Sequence, residues 1–149
     1  MNPDEKKTAT GQLSIEESFE AIEQPSERRF SDEFYKAMFQ RFPELRDKFT
    51  GVILAHQGAL LMSALGIIAQ TDRLMRPSVA EYLKVLGHRH HQRGIDAEDY
   101  LKFQTALLET LASYLGDKWT HELEQQWQAA IQSATDMMLL GHREGQVIY

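Results

Sequence analysis

The chain is 149 residues long, 42% apolar and 26% charged, the proportions of one globular domain. Sixteen Lys and Arg against 22 Asp and Glu give a formal net charge of −6, which argues against nucleic acid or an anionic membrane as partner, since both reward a basic face. There is no Cys, which excludes disulfides, thiolate nucleophiles and zinc-finger sites, so any metal has to be held by His or carboxylates. No apolar run is long enough to span a bilayer, and the first residues lack the apolar core of a signal peptide; the expectation is a soluble, cytoplasmic domain.

Residues Met1–Gln12 are small and polar, a composition that buries too little to offset ordering, so a flexible tail is expected ahead of a folded domain over residues 13–149. Ser14 with Glu17 has capping-box spacing and opens a helix that carries Ile15, Phe19 and Ile22 and ends at Pro25. Phe30, Phe34, Met38, Phe39 and Phe42 form one helical stripe, and Pro43 starts a short turn through Phe49. A third segment, Val52–Ile68, is expected to put Ile53, His56, Leu60, Leu61 and Ala64 on an inward face. After the polar stretch Thr71–Arg76, a helix over Val79–His91 carries Tyr82, Leu83, Leu86 and His90, and Gly94 breaks it. Asp96 caps the next helix, which runs to Gly116. Thr120 caps the last, where Leu123, Trp127, Ala130, Ile131, Ala134 and Met138 face inward and Gly141 is expected to close it. No segment alternates with period two. The pattern is all-α, six or seven helices, without repeats or a second domain.

No nucleophile elbow, P-loop, dinucleotide-binding glycine fingerprint, EF-hand loop or H-E-x-x-H pair is present. Carboxylate pairs such as Glu16–Glu17 and Glu98–Asp99 sit at helix starts, where the helix dipole alone favours them. The histidines say more. In His88-Arg89-His90-His91, neighbours on one helix point in different directions and cannot converge on one ion. Extending the Tyr82–Leu86 stripe by four turns His90 inward, and His56 lies between Val52 and Leu60 on another apolar stripe. Each imidazole is either a hydrogen-bonded core residue or a ligand. Two of them on separate apolar helices are also what a flat, largely apolar iron porphyrin requires, and periodicity leaves both readings open.

Three features resemble the globin family, in particular single-domain bacterial globins similar to the haemoglobin part of flavohaemoglobins and to neuroglobin-like bacterial proteins. The first is Phe34-Tyr35-Lys36-Ala37-Met38-Phe39 followed by Pro43-Glu44-Leu45-Arg46-Asp47-Lys48-Phe49. The second is Leu86-Gly87-His88-Arg89-His90 continuing through Gly94-Ile95. The third is Trp127 in the last helix. The resemblance covers about Leu13–Leu140 and implies a three-over-three sandwich of six to eight helices holding haem b, iron protoporphyrin IX. By that resemblance His90 is the proximal iron ligand, Phe49 packs on the porphyrin, and Leu60, Leu86, Ile95 and Tyr100 line the haem. Arg89 meets a propionate, and Tyr35 and His56 occupy the distal side. The implied ligands are dioxygen, carbon monoxide and nitric oxide, with nitric oxide oxidation drawing electrons from an external reductase. Because His56 is itself an iron ligand, the alternative is a six-coordinate redox, gas-sensing or electron-transfer globin. A haem-free interaction module is a further alternative, against which His90, Phe49 and Tyr35 together weigh.

One departure stands out. Bacterial relatives commonly support the proximal histidine with a Tyr–Glu pair. Tyr100 has the spacing of the Tyr, ten residues after His90, but the position fifteen after Trp127 is His142, and Glu144 comes two residues late. By this count the relay lacks its carboxylate.

Overall fold

The structure is a computed structural model that describes residues 12–70 and 75–148. The tail expected over Met1–Gln12 therefore lies outside the described residues except for Gln12, and the polar connection lies outside them at residues 71–74. The described residues form α1 (Ile15–Glu23), α2 (Phe30–Arg41), a 3₁₀ turn (Pro43–Phe49), α3 (Leu54–Gln70), α4 (Pro77–Gln92), α5 (Ala97–Leu115), a short 3₁₀ turn (Gly116–Lys118) and α6 (His121–Ile148), with no strand among them. No single helix among them is long and apolar enough to cross a membrane.

The helix starts follow local chemistry. Ser14 and Glu17 exchange side-chain and backbone hydrogen bonds at 3.1 and 3.0 Å, and Asp96 and Asp99 do the same at α5. Thr120 Oγ1 accepts from the Leu123 N–H at 3.1 Å. Pro77 occupies the first turn of α4, where its missing N–H costs nothing, so the helix begins two residues ahead of the expected Val79.

The core is built where the stripes predict it. Phe30, Phe34, Met38 and Phe39 of α2 are buried with Leu107 and Leu111 of α5 and with Leu123, Trp127, Ala130, Ile131 and Ala134 of α6. Trp127 is wholly buried, and its indole N–H donates to Ser18 Oγ at 2.8 Å, whose hydroxyl in turn donates to the Ile15 carbonyl at 2.6 Å. That chain satisfies two buried polar groups and ties α1 to α6.

Two expectations are corrected. Along α3 the face turned to the core is Gly58, Leu61, Leu65, Ile68 and Ala69, whereas Ile53 and Leu60 stay 62% and 63% exposed and His56 is exposed with them. The apolar content of α3 is spread round much of its circumference, so periodicity alone selects a face about one residue away from the buried one. Likewise Gly141 does not end α6. It lies inside that helix, where a Cβ would meet the Lys84 carbonyl oxygen at 2.0 Å. Gly87 of α4 is its counterpart, since a Cβ there would meet the Met138 carbonyl oxygen at 2.0 Å. Helix α4 packs chiefly on α6, backbone against backbone, and its contact with α3 among the described residues is slight.

Gly87→Ala and Gly141→Ala are each expected to destabilise the chain by about 3 kcal/mol. The upper end of the usual overpacking cost applies because backbone, not a flexible side chain, has to move. This outweighs the roughly 1 kcal/mol by which Ala favours a helix over Gly. Denaturant midpoints of the two variants check this; unchanged midpoints would mean the helices do not cross this closely.

Candidate functional site

The close crossing of α4 and α6 places three polar side chains in line. His90 is half-buried near the end of α4, and its Nδ1 lies 3.1 Å from the Tyr100 hydroxyl on α5. The same hydroxyl lies 3.0 Å from Nε2 of His142 on α6. Tyr100 is buried, with its ring beside both imidazoles, and His91 packs its ring against His142 at 4.9 Å between centroids. The structure thus supplies Tyr100 with a partner that is an imidazole, at the position where counting from Trp127 finds no carboxylate.

Burial lowers the pKa of His90 from 6.5 to about 4, with the nearby His142 and Arg93 adding to the effect. Burial likewise raises the Tyr100 hydroxyl well above its ordinary value, and burial first, then His91, holds His142 below the usual histidine value. Both imidazoles are therefore held toward neutrality. With Nδ1 of His90 engaged by Tyr100, Nε2 is the nitrogen left to meet a ligand.

A second group of candidates lies between α2 and α3, where Tyr35 of α2 is buried and its hydroxyl donates to the Gln57 carbonyl of α3 at 3.4 Å. Its ring packs edge-on against Phe34 and Phe49 at 5.1 and 5.7 Å, and Phe49 meets Phe39 at 5.3 Å. Burial pushes the Tyr35 hydroxyl up to about 12, so it remains a proton-bearing donor at ordinary pH. The turn carrying Phe49 is fastened to α5 by Lys48, which reaches the Gly94 carbonyl and lies 3.4 Å from Asp99, and by Glu44, 3.1 Å from Lys102. Nothing local announces the Lys48 link, because its partners lie beyond α3 and α4 in the chain and a lone surface Lys carries no pattern.

The remaining candidates divide by exposure. Leu86 and Ile95 are half-buried against the core, whereas Arg89 is exposed. Tyr82 and Val85 of α4 are exposed, as are Ile53, Leu60 and His56 of α3. Leaving side chains such as Ile53 and Leu60 largely in water forgoes on the order of 1–2 kcal/mol each, so both helices carry apolar surface suited to a flat apolar group. A surface cavity of about 360 Å³ lies elsewhere, between the α1–α2 connection and Met62, and contains neither Tyr35 nor an imidazole.

The depressed His90 pKa has a consequence for the haem-free chain. Between pH 6.5 and about 4 the unfolded chain holds a proton at His90 that the folded chain does not. Stability present above pH 6.5 should then be lost as pH falls toward 4, by about 3 kcal/mol from this group. Urea denaturation at pH 7 and pH 4 checks it: His90→Leu should reduce the acid loss by about that amount, and an unaltered loss would refute the assignment.

A family model described as Globin matches residues 32–138. A flavohemoprotein of Rhizobium meliloti (strain 1021) is 32% identical over 109 residues, covering 70% of this chain and 26% of that protein. A leghemoglobin of Psophocarpus tetragonolobus is 26% identical over 127 residues, covering 78% of this chain and 84% of its own. The chain thus spans about a quarter of the flavohemoprotein and most of the leghemoglobin. Among solved structures, a Pseudomonas aeruginosa PAO1 protein described as structurally highly homologous to a human hemoglobin superposes with a TM-score of 0.66 at 23% identity, covering 76% of this chain and 85% of that one. The match over residues 32–138, on an all-helical fold of this order, shows that the chain belongs to the globin family.

Proposed function

We propose that the chain holds iron protoporphyrin IX, haem b, between α3 and α4 with His90 as axial ligand. By it the chain reversibly binds dioxygen, and also carbon monoxide and nitric oxide, in the cytoplasm. Oxidation of nitric oxide, sustained by an external reductase, belongs to the same reading. The observation that carries it is His90: a half-buried imidazole inside the globin match, held neutral, with Nδ1 engaged by Tyr100 and Nε2 left for a metal. The relatives' names, flavohemoprotein and leghemoglobin, support the same cofactor.

When bound, the haem would be held by His90 and would supply an iron able to take up a diatomic ligand. The rest is done by residues of the chain. Tyr100 fixes the ring orientation and tautomer of His90, since a histidine metallated at Nε2 carries its proton on Nδ1 and needs an acceptor there. Ile53, Leu60, Tyr82, Val85 and Leu86 provide apolar surface that sheds water on covering the porphyrin faces, while Phe49 sits clamped by its aromatic neighbours. Arg89 is exposed, where a propionate can reach it. The Tyr35 hydroxyl, in a long 3.4 Å bond to the Gln57 carbonyl, is cheaply redirected to donate to a ligand carrying partial negative charge, and His56 is a second donor on the same side.

The visible spectrum of haem-loaded protein, reduced with dithionite under argon, tests the proposal. Stoichiometric haem and a five-coordinate high-spin ferrous spectrum are expected, both lost in His90→Ala. Tyr35→Phe should speed oxygen dissociation by about tenfold or more, the loss of a hydrogen bond to a charged acceptor. Failure to bind haem, or a spectrum indifferent to His90, overturns the reading. A low-spin six-coordinate spectrum that His56→Leu converts to five-coordinate assigns His56 to the sixth position and favours redox or gas-sensing use.

A further inference from the structure

We propose that His142 is a positioning residue: it ends a three-member hydrogen-bonded relay, His90–Tyr100–His142, as a neutral acceptor and so sets how strongly His90 donates to the iron. The inference rests on the haem reading above and goes beyond it, because it concerns a side chain that touches neither ligand nor porphyrin in that reading.

Proton counting fixes the direction of the relay. Ligation through Nε2 leaves His90 with its proton on Nδ1, and the atom within reach is the Tyr100 oxygen at 3.1 Å. Tyr100 thus accepts from His90 and has one proton of its own to give. The acceptor available to it is Nε2 of His142 at 3.0 Å, which requires His142 to be neutral with its proton on Nδ1. His90 Nδ1–H and the Tyr100 hydroxyl are then both partnered with no net charge in the relay.

Other features hold this arrangement. Gly141 precedes His142, and its contact with the Lys84 carbonyl admits no Cβ, so the α6 backbone is brought down on α4 at this point. Buried Tyr100 cannot swing out to water. The groups facing His142 from other elements are Tyr100, His91, Asp96 and His88; burial and His91 work most against a positive charge on it, Asp96 works for one, and His88 works against it.

The chemical consequence follows from what ends the chain. A carboxylate acceptor would draw the Tyr100 proton strongly, and Tyr100 would in turn draw the His90 proton, giving His90 anionic character and a strong push on the iron. A neutral imidazole draws less. The chain therefore has an axial ligand that is oriented and moderately polarised, suited to holding a ligand reversibly more than to stabilising highly oxidised iron.

A double-mutant cycle on the haem-loaded protein tests this, with the ferric/ferrous midpoint potential as readout and His56→Leu throughout so that the sixth position does not contribute. His142→Glu is expected to lower the potential by a tenfold change in the ferric-to-ferrous ratio, about 59 mV for one electron. His142→Gln, whose amide oxygen accepts from Tyr100, should stay close to the parent, and His142→Leu should move the opposite way from His142→Glu. With Tyr100→Phe in place, the effect of His142→Glu should largely disappear. An equal shift with and without the Tyr100 hydroxyl would mean the new charge acts through space, and the relay would be wrong. Identical potentials in all His142 variants that still bind haem stoichiometrically would also overturn it while leaving the haem reading intact. Absence of a haem band in the parent would overturn both.

Discussion

The site depends on one steric fact, that α4 and α6 cross with backbone on backbone. Gly87 and Gly141 face each other's helices at the two contact points, and at either position a Cβ would fall 2.0 Å from a carbonyl oxygen. Glycine inside a helix is ordinarily a cost in backbone entropy. Here the crossing offsets it by bringing His142 of α6 down to the His90–Tyr100 pair of α4 and α5, within hydrogen-bond reach of Tyr100. A side chain as small as alanine's would separate the helices by more than a hydrogen bond tolerates, since such bonds weaken steeply beyond their normal lengths. Helix packing and the His142–Tyr100 contact are thus one constraint seen from two sides.

Helix α3 solves the complementary problem. Its core face, Leu61, Leu65 and Ile68, packs into the body of the domain, while Ile53, His56 and Leu60 stay in water. A chain selected for stability alone would have placed polar groups at Ile53 and Leu60. Retaining aliphatic side chains there keeps the surface dry-compatible, which strengthens any hydrogen bond formed beside it. Beneath it Phe34, Tyr35, Phe39 and Phe49 pack ring on ring, mostly edge to face with Tyr35 stacked on Phe39, so the Tyr35 ring is held by the core itself and needs no loop to fix it.

Much of this is legible in the sequence because it is local. Capping at Ser14 and Asp96, the Phe30–Phe39 stripe and the inward row of α6 follow from spacing, and the structure reproduces them. Tyr35, Phe49 and His90 emerge from the resemblance, and they lie on α2, on the 3₁₀ turn and near the end of α4. What escapes is long-range. A helix as apolar as α3 does not declare its buried face, and Gly141, read locally, is a helix stop. Only the approach of Lys84, 57 positions earlier, makes it a packing residue. The Lys48 link to Gly94 and Asp99 is hidden for the same reason. His142 is the intermediate case: counting reaches its position, but its identity as a hydrogen-bond partner of Tyr100 requires the helix crossing.

The imidazole at position 142 also answers an electrostatic problem that a carboxylate would pose. Burying an anion next to Tyr100 costs several kcal/mol unless a cation or several donors compensate it. The titratable groups beside His142 are His91 and His88, together with Asp96, which would repel a second carboxylate. A neutral acceptor satisfies the Tyr100 hydroxyl without adding a carboxylate beside Asp96. The polar end of the α4–α6 crossing is thus closed by a neutral, half-buried imidazole that meets the Tyr100 hydroxyl.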